Sequence, residues 1–310
     1  MTITVDAAPG PEMAQGEVKG RSLWQDARRR LFANRAAVVS MVILAIVATL
    51  AVFAPAMSVH SYETQNYDYV ACAPYWWPGE VDVCMAPDTY LLGTDTNGRD
   101  LWVRTLYGAR ISLAVGVIAT MVSLMIGVFY GATSGFFGGR VDSVMMRFVD
   151  VLYSLPFIFF VILLMVMFDR NIILMFVAIG AVEWLTMARI VRGQTLSIRR
   201  KEFIEAAYAS GVSQMTIIRR HVIPNVVGPV IVYVTLTIPA VILAESFLSF
   251  LGLGVQEPLT SWGVLISEGA NQMETQPWML IFPALFMAIT LFCFNFIGDG
   301  LRDALDPKDR

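Results

Sequence analysis

Side chains able to do chemistry are few in this chain, and they form no catalytic set. The two histidines, His60 and His221, stand far apart, and no HExxH, GxSxG or CxxC pattern occurs. Zinc hydrolysis, acyl transfer from an activated serine and dithiol redox chemistry therefore lack a local motif. A P-loop is excluded more sharply. A phosphate-binding loop needs a lysine directly after a glycine. The three lysines, Lys19, Lys201 and Lys308, follow Val18, Arg200 and Pro307. If ATP drives this protein, another chain binds it. Two acids remain in apolar sequence, Glu183 and Glu245. Tyr233, Thr235 and Thr237 are a polar set able to line a path. Cys72 and Cys84 lie twelve residues apart. In an oxidising compartment such a pair can close a bridge contributing about 3 kcal/mol; the alternative is two free thiols.

The elements that must position these residues follow from composition. Hydrophobic residues are 56% and charged residues 15%, against roughly 25% charged in ordinary soluble domains. Mean hydropathy is +0.63. Such a chain cannot cover a soluble surface, so it is an integral membrane protein. Glycine, proline and cysteine are too sparse for fibrous, disordered or disulfide-scaffold classes. Six stretches, 36–56, 111–133, 151–168, 171–188, 226–244 and 278–298, approach the ~20 apolar residues that cross ~30 Å of hydrocarbon. Backbone in lipid must satisfy itself, which predicts helices; the alternation of a β-barrel is absent. Only the fourth stretch holds a charge, Glu183. An acid at membrane depth costs a few kcal/mol. Glu183 is therefore expected either to line a path, as substrate contact or proton relay, or to snorkel or pair with Arg189.

Lys and Arg concentrate before the first span, in 189–225 and in the C-terminal tail, while 246–277 has none. The positive-inside rule then puts both termini and 189–225 in the cytoplasm and 57–110 outside. Arg99, Arg104 and Arg110 in that outer segment oppose the rule mildly. Beside spans, the basic clusters are explained by topology, and no nucleic-acid partner is expected. Residues 1–20 read as a disordered tail, with no cleavable signal peptide. Residues 21–35 read as an interfacial amphipathic helix, with Ser22 and Gln25 as a capping box and Leu23, Trp24, Ala27 and Leu31 on one face; the plainer reading is a topogenic charge cluster. Tyr75, Trp76 and Trp77 would meet either a protein partner or the membrane interface. Cys293 is expected to be inert within the last span.

The most informative stretch is 201–225, KEFIEAAYASGVSQMTIIRRHVIPN. Residues 202–209 favour helix, Gly211 offers a C-terminal cap, Ser213 can start a second helix, and Pro224 is expected to end it. Ala206, Ala207 and Ala209 would let another protein approach closely.

Glu205-Ala206-Ala207, Gly211 four residues on, and Ile223-Pro224 resemble the EAA loop of ABC importer permeases. His221 stands where that pattern usually has Ile, and His-x-x-Pro-Asn is common in the peptide-permease branch. LGTDTNGRD (92–100), YGARISL (107–113), GGRVDSVMMR (138–147), ARIVRGQTLS (188–197), ESFLSFLGLG (245–254) and GDGLRDALDP (298–307) follow in order. Over about residues 20–310 the chain resembles the C-type subunits of dipeptide and oligopeptide permeases.

The resemblance implies an all-α membrane protein with six transmembrane helices and the type I ABC importer permease fold. It implies a transmembrane domain over 36–310, a cytoplasmic coupling helix and an extended periplasmic loop between the first two spans. The chain would sit in a bacterial inner membrane and import oligopeptides. It would be no enzyme and bind no cofactor or metal itself. Two ATPase subunits, D- and F-type, would bind ATP and Mg and contact Glu205, Ala206, Ala207, Tyr208 and Gly211. A second, B-type permease and a periplasmic peptide-binding protein complete the expected partners. Glu245 would pair at a gate with the partner permease or touch substrate. Sister transporters carry dipeptides, murein peptides or nickel on this scaffold. A remoter reading is an ion-coupled secondary transporter using Glu183.

Overall fold

A computed structural model describes residues 23–57, 59–78, 84–167 and 172–305. The expected disordered tail and the Ser22 cap lie outside the described residues. Eleven α-helices occur in the described part, and its only β-structure is two isolated bridges, Ala73 to Met85 and Thr94 to Asp100.

Helix α1 (Leu23–Ala33) is followed by Asn34, whose Oδ1 accepts the Ala37 N–H at 3.2 Å and so caps α2 (Arg35–Met57). Of the face predicted for α1, Ala27 is buried, Leu31 half-buried and Trp24 exposed. Helix α3 (Leu101–Phe137) runs for 37 residues, about 55 Å at 1.5 Å per residue. It starts ten residues before the predicted span because Arg104 is neutralised where it lies, as described below.

The predicted third span is not one helix. Helix α4 (Gly139–Ser154) ends at Leu155, and α5 (Phe157–Met167) leaves at 81°. Pro156 holds Leu155 extended (φ −77°, ψ 134°) and has no N–H to continue the ladder. Eleven residues of α5 reach about 16 Å, roughly half the hydrocarbon thickness. The described chain thus has five full-length apolar helices and one bent pair.

Helices α6 (Ile172–Ile198), α7 (Glu202–Ala209) and α8 (Gln214–Ile217) follow. The expected stop before Pro224 does not occur. Residues 218–222 form a π turn, with the Ile223 N–H bonded to the Ile218 carbonyl, and α9 (Ile223–Phe250) continues directly. Widening the helix makes room for a proline ring that would crowd an ordinary α-turn, and Asn225 Nδ2 donates to the His221 carbonyl at 2.6 Å. Helices α10 (Trp262–Ala270) and α11 (Trp278–Leu305) complete the fold.

The core is a parallel seam between α3 and α6. Gly127, Gly131 and Gly135 recur every four residues on α3, with Gly180 on α6. A Cβ on Gly127 would stand 2.5 Å from Met187 Cγ, one on Gly135 2.8 Å from the Arg192 carbonyl, and one on Gly180 2.8 Å from the Ala119 carbonyl. A Cβ on Gly131 would collide with the Ala188 carbonyl. Small residues at this spacing let two backbones touch where lipid gives no hydrophobic drive for association. Gly131→Val should therefore cost about 2 kcal/mol or more through overpacking. Gly193, on the same pair of helices but with nothing within 4 Å of its missing Cβ, should accept Ala with no loss. Thermal unfolding of the detergent-extracted protein, followed by gel filtration, checks the contrast.

Candidate functional site

At one end of the bundle α7 lies across the tips of α3, α6 and α9. Its buried side is Ile204 and Ala207, packed with Phe136, Val191, Ile198, Ile217 and Val222. Tyr208 stacks on Phe136 with centroids 5.9 Å apart. Glu205, Ala206, Tyr208 and Gly211 are exposed. The expectation that Ala207 meets a partner is corrected: at helical spacing from Ile204 it turns into the bundle and anchors α7. The C-terminus closes as expected. Gly211, at φ +76°, donates to the Tyr208 carbonyl at 3.0 Å, and Val212 donates to Ala207 at 3.1 Å, the double bond of a Schellman cap. Ser213 Oγ accepts the Thr216 N–H at 3.4 Å. The result is an exposed, close-approach helix fixed to three long ones.

Ion pairs tie the neighbouring elements. Arg192 makes a bidentate pair with Asp142 of α4 at 2.5 and 2.6 Å, and Ser134 donates to the same carboxylate at 2.6 Å. Arg189 donates to Asp150 at 2.8 Å and its guanidinium lies 4.2 Å above the Tyr153 ring. Arg189 thus has its partners on α4, so of the alternatives for Glu183 the pairing with Arg189 is not the one the structure shows. Glu183 is half-buried on α6, which packs against α9, the helix that carries Tyr233. Thr237 is buried and donates to the Tyr233 carbonyl at 2.9 Å. Thr235 donates to the Ile231 carbonyl at 2.9 Å and faces Gly298 of α11. Thr235 turns towards α11 and away from the Tyr233 side of α9.

At the opposite end, motifs distant in sequence meet around Glu245, which is 0% exposed. Ser249 Oγ donates to its carboxylate at 2.6 Å, Ser112 at 3.2 Å and Ser246 at 3.5 Å. Ser261 lies 3.3 Å from Ser249, and the Trp262 N–H donates to Ser112 at 3.2 Å. Hydroxyls from α3 and α9 take the place of water around the buried acid. Gly108 lets the Ser261–Trp262 backbone lie against α3. Glu245 binds within its own chain, at the joint of α3, α9 and α10.

Beside this joint lies a network that sequence reasoning missed. Arg99 donates to Asp95 at 2.7 Å and to Glu257 at 2.9 Å. Arg104, 1% exposed, pairs with Asp95 and with Glu268 at 2.7 Å. Two of the three outer arginines, Arg99 and Arg104, thus resolve their conflict with the charge rule: besides Asp95 they answer Glu257 and Glu268 from the segment that carries no Lys or Arg. That complementarity between two outer segments was the available signal. Burial works against the Arg99 cation, but Asp95, Glu257 and Glu268 outweigh it.

The Cys72–Cys84 disulfide is present, with Cα atoms 4.7 Å apart. Trp77 packs edge-on against Trp278 and Phe282 at the start of α11, and Trp76 donates to the Leu91 carbonyl at 2.8 Å. These two indoles anchor the loop, while Tyr75 stays exposed. Among the described residues no cluster of His, Cys, Asp or Glu could hold a metal ion.

Asp100 caps α3 by accepting the Trp102 N–H at 2.9 Å. Burial pushes its carboxyl up to about 6, against the opposing pull of the Val103 and Trp102 N–H groups. An unfolded Asp titrates near 3.9. The folded state therefore holds the proton more tightly, and stability rises as pH falls from about 6 towards 4. Asp100→Asn keeps the cap acceptor and removes the titration. Between pH 7 and pH 5 the parent should gain about 1 kcal/mol relative to this variant, read from melting temperatures at the two pH values; parallel profiles would contradict the assignment.

Residues 123–310 match the family described as binding-protein-dependent transport system inner membrane component, and residues 22–74 match the N-terminal TM domain of oligopeptide transport permease C. The chain is 58% identical over 294 residues to the oligopeptide transport system permease protein OppC of Escherichia coli K12, covering 95% of this chain and 94% of the relative. It is 55% identical to the OppC protein of Haemophilus influenzae, covering 95% and 91%. The dipeptide transport system permease protein DppC of Bacillus subtilis is 45% identical, covering 93% and 87%. In fold, the chain is similar to a solved structure of the MetNI methionine ABC transporter in an inward-facing conformation. That match has a TM-score of 0.53 at 18% identity and covers 66% of this chain and 96% of the other.

Proposed function

The chain belongs to the family of binding-protein-dependent transport inner membrane components, in its oligopeptide permease C group, and from that membership we propose that it forms half of the membrane path of an ATP-driven importer of oligopeptides. Identities of 55% and 58% to the OppC proteins of Haemophilus influenzae and Escherichia coli, together with the match of residues 22–74 to the N-terminal domain of oligopeptide transport permease C, favour the longer substrate class, although in Bacillus subtilis OppC and DppC are about equally similar, at 43% and 45%.

The observation that carries the mechanism is the mounting of α7. Ile204 and Ala207 root it in the ends of α3, α6 and α9, while Glu205, Ala206, Tyr208 and Gly211 face outward. A partner that grips the outward face moves three long helices as one body. The partners are two ATPase subunits that bind ATP and Mg, a second permease completing the path, and a periplasmic peptide-binding protein. The α7 end is cytoplasmic, as the Lys and Arg of 189–225 require, and the disulfide-bearing end faces the oxidising periplasm. Glu183 and Tyr233 are the polar residues offered to the path. Glu245 positions the outer joint.

Two variants of adjacent residues separate coupling from folding. Ala206→Trp should leave heat stability within about 0.5 kcal/mol, as expected for an exposed site. It should nevertheless lower ATP-dependent uptake of a labelled oligopeptide at least tenfold and release the ATPase chains from the purified complex. Ala207→Trp should destabilise the bundle itself. Uptake that persists without ATP and follows an ion gradient would overturn the importer reading and turn attention to Glu183.

A further inference from the structure

A groove of about 550 Å³ runs between α2 and α11. Its walls are Val39 and Ile43 on one side and Phe292 and Phe296 on the other, and buried Ser40 lies in its floor. Arg35 lines its end. The groove is apolar along its length and cationic at one terminus.

Its dimensions select the occupant. From Arg35 to Ile43 the helix rises about 12 Å, close to the ~15 Å depth of one leaflet. The groove is apolar along about one leaflet's depth, which suits an extended hydrocarbon chain.

The charge at its mouth selects the headgroup. Among the described residues no carboxylate pairs with Arg35, Arg28 or Arg29. Arg28 and Arg29 line a second depression with Phe32 on α1, which joins α2 at Asn34. Asp299 and Asp303 carry the Phe296 face of α11 onward, and the three guanidiniums outnumber them. Basic pockets between transmembrane helices at the membrane boundary recognise anionic lipid headgroups. We propose that this groove binds one anionic phospholipid, with an acyl chain between α2 and α11 and its phosphate against Arg35 and the α1 arginines. The site rests on membrane embedding and is independent of what is transported.

The test uses the full chain with its co-purifying subunits, reconstituted in phosphatidylcholine vesicles. These contain a small fraction of photoactivatable phosphatidylglycerol or, separately, of photoactivatable phosphatidylcholine. The anionic probe should label peptides holding Val39–Ile43 or Phe292–Phe296 several-fold more than the zwitterionic one. Arg35→Gln should reduce that labelling about five-fold. Val39→Trp, which plugs the slot and leaves every charge in place, should abolish it in complexes recovered at normal yield. Equal labelling by both probes would reduce the groove to ordinary bilayer contact and overturn the proposal. Labelling indifferent to both variants would do the same, as would labelling of the lone chain that disappears in the complex, which would assign the groove to a partner subunit. The label is read without ATP or peptide, so failure of import and failure of this site are distinguishable.

Discussion

The close approach of α3 and α6 is the contact on which the rest of the molecule depends. Lipid offers little reason for two apolar helices to associate, so packing must supply it. Gly127, Gly131 and Gly135 remove the side chains that would hold the backbones apart, and Gly180 does so from the other helix. The two helices run the same way, so each end of the seam becomes a platform. At one end Phe136, Val191 and Ile198 receive α7. At the other, α3 extends past the seam and carries Gly108, Ser112 and Arg104 to the outer joint. A chain without the seam would have neither platform.

Polar groups are handled in opposite ways at the two ends. The α7 end leaves its carboxylate and small residues in the open, rooted by apolar side chains beneath. The outer end buries its polar groups and satisfies them internally. Serine hydroxyls surround Glu245, and two arginines meet three acids. Breaking such a buried set by removing one partner is expensive, because the rest stays buried without compensation. The outer loops therefore behave as one piece with α3, α9 and α10, and the exposed α7 face is left free to be grasped.

Much of this was legible in sequence where the signal is local. The Gly211 cap, the Ser213 cap and the apolar helices depend on neighbouring residues, and they stand where periodicity and turn chemistry put them. The errors share a different origin. Charge marked the predicted ends of spans, yet α3, α6 and α11 continue through Arg104, Arg192 and Asp299. An arginine answered by a distant acid no longer needs water, and sequence distance hides the answer. Pro156 broke a span that composition joined, and Pro224 failed to break one because a π turn accommodates it. Ala207 belonged to the recognised motif but faces inward, since a motif names residues and only the helix phase against its support says which side they take.

By itself the sequence determined the class, the membrane habit, the absence of a P-loop motif, the family motifs and the existence of α7, because each rests on composition or on contacts a few residues apart. Tertiary structure alone decided the seam, the serine cage of Glu245, the pairing of Arg99 and Arg104 with acids more than 150 residues away, and the partners of Arg189. Those choices depend on which helices touch and in what register. The free energy that selects the register comes from close packing and from satisfying buried charge across the whole bundle.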